Sequence, residues 1–374
     1  MRDAIHTIAV GLLLLGAPAR GGGMERPPVN VGDLSAGTVM VLEVLDRAPG
    51  TNQVASPPSM DIAIAALREG AAGATRKAID RVLPPTVPVP ATGSGRTTFA
   101  TSVWTREGFP PREGYQARVK AGYGAVVMPL PAVDAAGAVN RWASQATGGR
   151  IREVVDRVDP SVRLILASAA WFRGSWRVPF DSRTTGPAPF TRADGFISDV
   201  PTMRRTGSLA YRATERFRSV QIPFAEGNEV LELVLPGAGV TATGALREAL
   251  APGHPSRLQG IRLWVPRFEL AGRVDLREPL LAIGLGSLFD PRSVDLSGIA
   301  GEPGELFVGS MRHDALLRVD EAGVEAAAVT TAVLVGSILP DVELKLDRPF
   351  LAILRASPDG PPIFIGYVAN PATR

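Results

Sequence analysis

Apolar residues change their spacing part-way along this chain, and that change limits the folds open to it. Up to about residue 150 they recur at helical intervals; from Leu164 onward they come as runs bounded by turn residues. Leu34, Val41, Leu42, Val44 and Leu45 sit at helical spacing and stop before Pro49-Gly50. Ser56-Pro57 reads as a helix start, with Ser as cap and Pro in the first turn, ahead of Ile62, Ala65 and Ala66. Thr75 is predicted to cap a short helix that Pro84-Pro85 ends, and Val87–Arg96 reads as a loop. Helices are predicted over Arg112–Tyr123 and Ala135–Thr147, the latter closed by Gly148-Gly149. The predicted strands are Leu164–Phe172 (LILASAAWF), VQIPF and VLELVLP on either side of Glu226-Gly227-Asn228, and Ile261–Leu270 (IRLWVPRFEL). A helix over Leu276–Leu285 precedes strands at Leu306–Val319 and Val342–Arg355. A last strand, Ile363–Val368, pairs back through Pro358-Asp359-Gly360. Helices first and strands later, without strand–helix–strand alternation, predict an α+β class; no repeat or linker divides it, so a single domain is expected.

Composition removes several function classes. The chain has 374 residues, 45% hydrophobic and 21% charged, enough for a substantial core. Its 40 basic and 37 acidic residues leave a net charge of +3 with no concentrated cationic stripe, so no nucleic-acid partner is expected. Without cysteine there is no disulfide, thiol nucleophile or thiolate metal site, and His6, His254 and His313 are the only imidazoles. No metal and no cofactor are expected.

The first residues read as an address. Arg2 precedes an apolar run from Ile8 to Gly16, and Ala17-Pro18-Ala19 fits cleavage after Ala19, which predicts a signal peptide over 1–19 and a secreted protein. Residues 20–29 then form a tail. Asp3 offsets Arg2, and Met24 offers an alternative start that would leave the protein cytoplasmic. The apolar run is too short for a bilayer helix, and no membrane association is expected.

Several motifs fail on inspection. Gly93-Ser94-Gly95 lacks the strand and helix of a dinucleotide loop, and Gly70–Lys77 lacks the Gly-Lys-Ser/Thr ending of a phosphate loop. Gly284–Leu288 is no nucleophile elbow. A serine triad would need His254, in a Pro-bounded turn, or His313, inside a strand where a hydrogen-bonded structural role is the ordinary one.

One segment resists an ordinary reading. Between Glu325 and Asp341 there is no charge. A buried Ala-rich helix is one reading, but Val329, Thr330, Thr331, Val333 and Val335 are β-branched and favour strands. With period two, one face carries Val324, Ala326, Ala328, Thr330, Ala332 and Leu334, all uncharged and small to medium in size. The other carries Glu325, Ala327, Val329, Thr331, Val333 and Val335. The first face suits sliding between two existing strands.

Glu321-Ala-Gly-Val-Glu-Ala-Ala-Ala-Val-Thr330 resembles the hinge of the serpins, the serine-protease inhibitors that trap proteases by loop insertion. The resemblance extends over nearly all of residues 30–373. Ser56-Pro57-Pro58-Ser59 resembles the family's helix start beneath the main sheet, and Trp171-Phe172-Arg173-Gly174-Ser175-Trp176 its Phe-Lys-Gly-x-Trp strand. Val265-Pro266-Arg267-Phe268 with Asp275–Leu280, Leu296-Ser297-Gly298-Ile299, and His313 are similar to further family segments. Arg348-Pro349-Phe350-Leu351 and Phe364–Pro371 resemble the C-terminal signature. Eight matches in the right order make the assignment specific.

The resemblance implies one serpin domain over 30–374: a large central β-sheet, two smaller sheets, several helices and an exposed reactive-centre loop over about 321–341. It implies a hinge of Glu321, Gly323, Val324, Glu325, Ala326, Ala327, Ala328, Val329 and Thr330. It also implies shutter and breach positions at Ser56, Ser59, Ser168, His313 and Trp176. Family spacing from Glu321 implies a reactive bond at Ser337-Ile338, with a cut after Val335 or Gly336 as the alternative. The partner would be a serine protease held as a covalent acyl complex, the protease supplying the nucleophile, so the chain itself is not an enzyme. No Arg or Lys lies between Arg318 and Lys345, which favours an elastase-like or subtilisin-like target over a trypsin-like one. The short Val87–Arg96 loop predicts no heparin site of the helix-bearing kind, and a monomer is expected.

There are departures. Ala55 stands where the family usually has Phe, Ser168 where the shutter usually has Asn, and Val324 where Thr is commoner. Ser168 offers fewer hydrogen-bonding groups than an amide. Three readings follow: an inhibitory serpin, a non-inhibitory carrier, storage protein or chaperone, and an enzyme resting on His313.

Overall fold

The computed structural model describes residues 34–89, 96–253, 255–325 and 340–372. The N-terminal part holds α1 (Ala36–Arg47), β1 (Gln53–Ala55), α2 (Pro57–Arg68), α3 (Gly73–Val82), β2 (Thr97–Arg106), α4 (Glu113–Tyr123), β3 (Val126–Leu130) and α5 (Ala135–Ala146). There follow β4 (Leu164–Phe172), β5 (Gly174–Ser175), β6 (Gly186–Thr191), β7 (Ile197–Ala213), β8 (Phe217–Pro223), β9 (Val230–Pro236) and α6 (Ala242–Leu250). The chain continues with β10 (Arg257–Pro266), β11 (Phe268–Asp275), α7 (Arg277–Ala282), β12 (Val308–Val319), β13 (Gly323–Val324), β14 (Val342–Lys345), β15 (Phe350–Arg355) and β16 (Pro362–Val368).

A seven-stranded sheet runs β3-β2-β4-β12-β13-β5, with β11 on β12. Its two middle strands, β4 and β12, are parallel, from Leu164 opposite Val308 to Trp171 opposite Leu316. All nine residues of β4 are buried because both faces are covered. Ile165, Ala167 and Ala169 pack with Ala135, Val139 and Ala143 of α5. Leu164 and Leu166 join the larger core that holds Met60, Ile62 and Ile64 of α2. That double cover explains why the strand reads as one unbroken apolar run.

The remaining strands form a nine-stranded network, β1-β16-β15-β9-β8-β7-β10-β14 with β6 on β7. The 17-residue β7 pairs with β10 over Thr202–Tyr211 and with β8 over Ala210–Ala213. The two smaller sheets implied by the resemblance are therefore continuous through β7.

Some local expectations need correction. Ser56 sits at the α2 N-cap position, but its hydroxyl makes no capping bond. Thr75 lies inside α3, which starts after Ala72, and its hydroxyl accepts the Asp295 amide at 2.8 Å instead. The IRLWVPRFEL run is two strands in different sheets: Val265 pairs with β7, Phe268 with β12, and the chain crosses over at Arg267. Val342–Arg355 likewise splits into β14 and β15, and the break between them holds Pro349, which has no amide to give to a ladder. The helix expected over Leu276–Leu285 is only Arg277–Ala282, followed by a 3₁₀ turn at Gly286–Phe289. Strands β1, β2, β3, β6 and β7 and helix α6 were not predicted.

Candidate functional site: a two-residue central strand above a buried histidine

At the end of β12 the chain makes a tight hairpin. Asp320 Oδ1 accepts the amides of Ala322 and Gly323 at 2.9 and 3.3 Å, and the Asp320 amide donates to Gly323 O at 3.0 Å. The two residues of β13 then lie antiparallel to both neighbours: Val324 is opposite Val319 of β12 and Gly174 of β5. A Cβ on Gly323 would come within 2.0 Å of the Gly174 carbonyl oxygen, so the close approach requires glycine. Trp176 and Phe180 donate their amides to Ala322 O and Glu321 O at 2.9 and 3.0 Å, and the Trp176 indole donates to Asp320 O at 2.9 Å. The Trp176 ring stacks on Phe224 at 4.8 Å. Val324 is fully buried, in the same cluster as Phe172, Trp176, Phe268 and Val319. The resemblance implied an exposed loop from Glu321; Glu321 and Ala322 instead form the bend of the hairpin, and Gly323-Val324 a strand of the sheet.

The two acidic residues that flank this short strand are held by arginines. Glu321 accepts from Arg267 Nε and Nη2 and, at 2.5 Å, from Thr185 Oγ1. Burial works against its charge, but these donors outweigh it and hold the carboxyl below the usual range. Glu325 pairs with Arg150 Nε at 2.5 Å, and the Arg150 guanidinium lies 4.0 Å above the Trp171 ring of β4.

Further down the seam between β4 and β12, His313 is fully buried on the face toward α2. Its Nε2 accepts the Ser56 amide at 2.9 Å, which leaves Nδ1 carrying the proton and donating to Ser168 Oγ at 2.9 Å. Burial drives the imidazole pKa down to about 3. The hydroxyl oxygens of Ser56, Ser59 and, across from Ser168 on β2, Thr101 are buried without a hydrogen-bond partner. No carboxylate is among the described contacts of His313, and Ser168 is 1% exposed, so the pair lacks both the third member and the access of a serine triad.

The geometry joins Trp176, Glu321, Gly323, Val324 and Glu325 at one end of the central sheet, and Ser56, Ser168 and His313 beneath its middle. Ser59 is fully buried in the first turn of α2. Ala326, Ala327, Ala328, Val329, Thr330, Ser337 and Ile338 lie outside the described residues, as do His254 and the predicted signal peptide. The sequence reading missed Arg150, Thr185 and the capping role of Asp320. Arg267 was quoted in a motif without a role.

The sequence model of the family described as Serpin (serine protease inhibitor) matches residues 36–371, most of the chain. The chain belongs to the serpin family. Human antithrombin-III is 30% identical over 299 residues, which cover 76% of this chain and 64% of that protein. Bovine leukocyte elastase inhibitor is 31% identical over 256 residues, 64% of this chain and 67% of the relative. The serpin chain described here thus spans under two thirds of human antithrombin-III, and 59% of the mouse protein. Among solved structures, native tengpin, a thermophilic serpin, superposes with a TM-score of 0.81 at 21% identity, over 93% of this chain and 96% of its own. Human thyroxine-binding globulin gives 0.78 at 20% identity, over 91% and 98%. Both show the shared fold.

Proposed function

We propose that this serpin is an inhibitor that traps a serine protease by adding its own loop to the central sheet. The observation that carries the reading is Val324, seated antiparallel to both β12 and β5 at the head of a seam whose walls, β4 and β12, are parallel. A strand continuing from β13 down that seam runs antiparallel to both walls. It exchanges one parallel ladder for two antiparallel ones, the slightly more stable pairing per residue. Serpin loop insertion is itself a standing instance of strand addition to a sheet. Because Val324 faces the core, positions 326, 328, 330, 332 and 334 follow it inward, and they are Ala, Ala, Thr, Ala and Leu. Full insertion adds roughly a dozen ladder bonds at about 1 kcal/mol net each.

The loop over about 321–341 acts as bait. The protease attacks the carbonyl of Ser337, with Val335 and Gly336 as alternative sites, and insertion carries the acyl-enzyme away before water releases it. Catalysis belongs to the protease, elastase-like or subtilisin-like by the aliphatic residues before the bond. The protein works as a secreted monomer, its serpin domain spanning 30–374, without metal or cofactor. A second reading, a non-inhibitory binding serpin, is favoured by the shutter, where three buried hydroxyls lack partners and Ser168 replaces the usual amide.

Incubation with an elastase-like and a subtilisin-like protease separates the two. An inhibitor gives a complex that survives denaturing electrophoresis and releases a C-terminal fragment beginning at Ile338, or within two residues of it. Simple cleavage without a complex, for every protease that cuts the loop, overturns the inhibitory reading.

A further inference from the structure

We infer that Arg150 is a positioning residue that latches the hinge at two-residue depth, holding Glu325 as the point where the chain leaves the sheet. The inference rests on the insertion reading and adds to it what stops the strand from advancing unprompted.

Among the described residues only Asp134 and Glu325 have positive φ without being glycine, 56° and 46°. Asp134 has a local reason: its carboxylate caps α5 through Gly137 at 3.2 Å and holds Arg141 at 2.8 Å. Glu325 has no such cap. Its amide continues the hairpin by donating to Arg318 O at 3.2 Å, and its carboxylate is held from outside the hinge, by Arg150. A left-handed conformation at a residue with a Cβ persists only where its surroundings impose it.

Arg150 is built to do so. It follows α5 through Gly148 and Gly149, both left-handed at φ 59° and 80°, which turn the chain back over the sheet. Its Nη1 donates to Thr147 O at 3.1 Å, and Thr147 is itself fixed, its hydroxyl donating to Ala143 O at 2.7 Å and accepting the Ile151 amide at 2.9 Å. The guanidinium rests on Trp171, the last-but-one residue of β4. One side chain thus ties together the segment after α5, the wall of the seam and the next residue due to enter it. To advance, Glu325 must turn from left-handed to extended, which moves its carboxylate relative to an anchored guanidinium. The side chains of Arg150 and Glu325 are only 30% and 13% exposed, so the pair is less screened than a surface one.

The test uses the uncleaved protein in four forms: wild type, Arg150→Gln, Glu325→Gln and the double variant. Hydrogen exchange at the amides of 322–325 reads the latch without reference to insertion. Uptake of a synthetic peptide with the sequence of residues 326–337, followed by native gel, reads the seam. Each single variant is expected to raise hinge exchange and peptide uptake about tenfold, the double variant no further, and the swap Arg150→Glu with Glu325→Arg to recover part of the loss. A purely structural Arg150 would lower the urea midpoint while leaving hinge exchange unchanged and the two substitutions additive, and that result overturns the latch. If hinge exchange rises as expected while no form takes up peptide, the latch stands and the insertion reading falls.

Discussion

His313 and Asp314 are neighbours on β12 that point to opposite faces of the central sheet, and their protonation pulls stability in opposite directions. His313 is buried neutral, its pKa lowered from 6.5 to about 3 by burial. The unfolded chain binds that proton first, so its contribution is present above pH 6.5 and is lost as pH falls toward 3. Asp314 is buried too, and burial raises its carboxyl from 3.8 to about 8, against the pull of Arg273 and Arg312. Here the folded state holds the proton, so its contribution is present below 3.8 and lost as pH rises through 8. Asp61, raised to about 6 by burial, acts the same way over a narrower range. Between pH 6.5 and 8 Asp314 acts alone of the three, and stability should fall with rising pH by up to about 1.4 kcal/mol per unit. Urea midpoints measured across that window should flatten in Asp314→Asn, while His313→Gln should remove the loss on the acid side; an unchanged slope in Asp314→Asn refutes the assignment. At this scale the sequence was half legible. His313 was legible as a structural histidine, because a strand position in an apolar run is a poor place for a base. Its partner Ser56 was placed at a helix start but with its hydroxyl as cap, whereas the backbone amide is what His313 uses. Arg150 was invisible, since nothing local links it to a residue 175 positions away.

The elements that were legible are those whose surroundings are uniform. Leu164–Phe172 is buried on both faces and reads as one run; α2, α4 and α5 carry their Pro and Gly punctuation at their ends. Strand β7 failed for the opposite reason: it is exposed or half-exposed at most positions and contains Pro201 and Gly207, residues that usually break strands. It forms because β6 pairs with it over Ile197–Thr202, β10 over Thr202–Tyr211 and β8 over Ala210–Ala213. The β10–β11 crossover failed because hydrophobic spacing does not say which sheet a strand joins. The seam between β4 and β12 gives a prediction that belongs here. Ser168 Oγ accepts from His313 Nδ1 across the two strands, and both groups are buried. Ser168→Ala leaves a buried N–H without a partner and should cost about 1–3 kcal/mol in the uncleaved protein. On the proposed insertion the lost bond is one that opening of the seam would break, so peptide uptake should quicken while the urea midpoint falls. A lower midpoint with unchanged uptake would place Ser168 outside the opening step.

For the whole molecule, the question is whether β13 is a resting point of the proposed insertion or an end point. The buried Val324, the glycine-dependent approach of Gly323 to Gly174 and the parallel walls of the seam describe a sheet one strand short of its most favourable pairing. If about a dozen ladder bonds at about 1 kcal/mol each are still to be made, cutting the loop should stabilise the protein by roughly 10 kcal/mol. At about 1–2 °C per kcal/mol for a chain of this size, the unfolding midpoint should rise by roughly 10–20 °C. The loss of one chain connection cannot by itself produce such a rise, because a cut adds freedom to the unfolded state. Val324→Arg is the matched control. It puts an unpaired charge into the cluster of Phe172, Trp176 and Phe268, costing several kcal/mol. It should leave the loop cleavable but the midpoint unmoved and the protease untrapped. Calorimetry before and after limited cleavage near residue 337, on both proteins, decides the matter. Equal midpoints for cut and uncut wild type would mean the sheet is already complete.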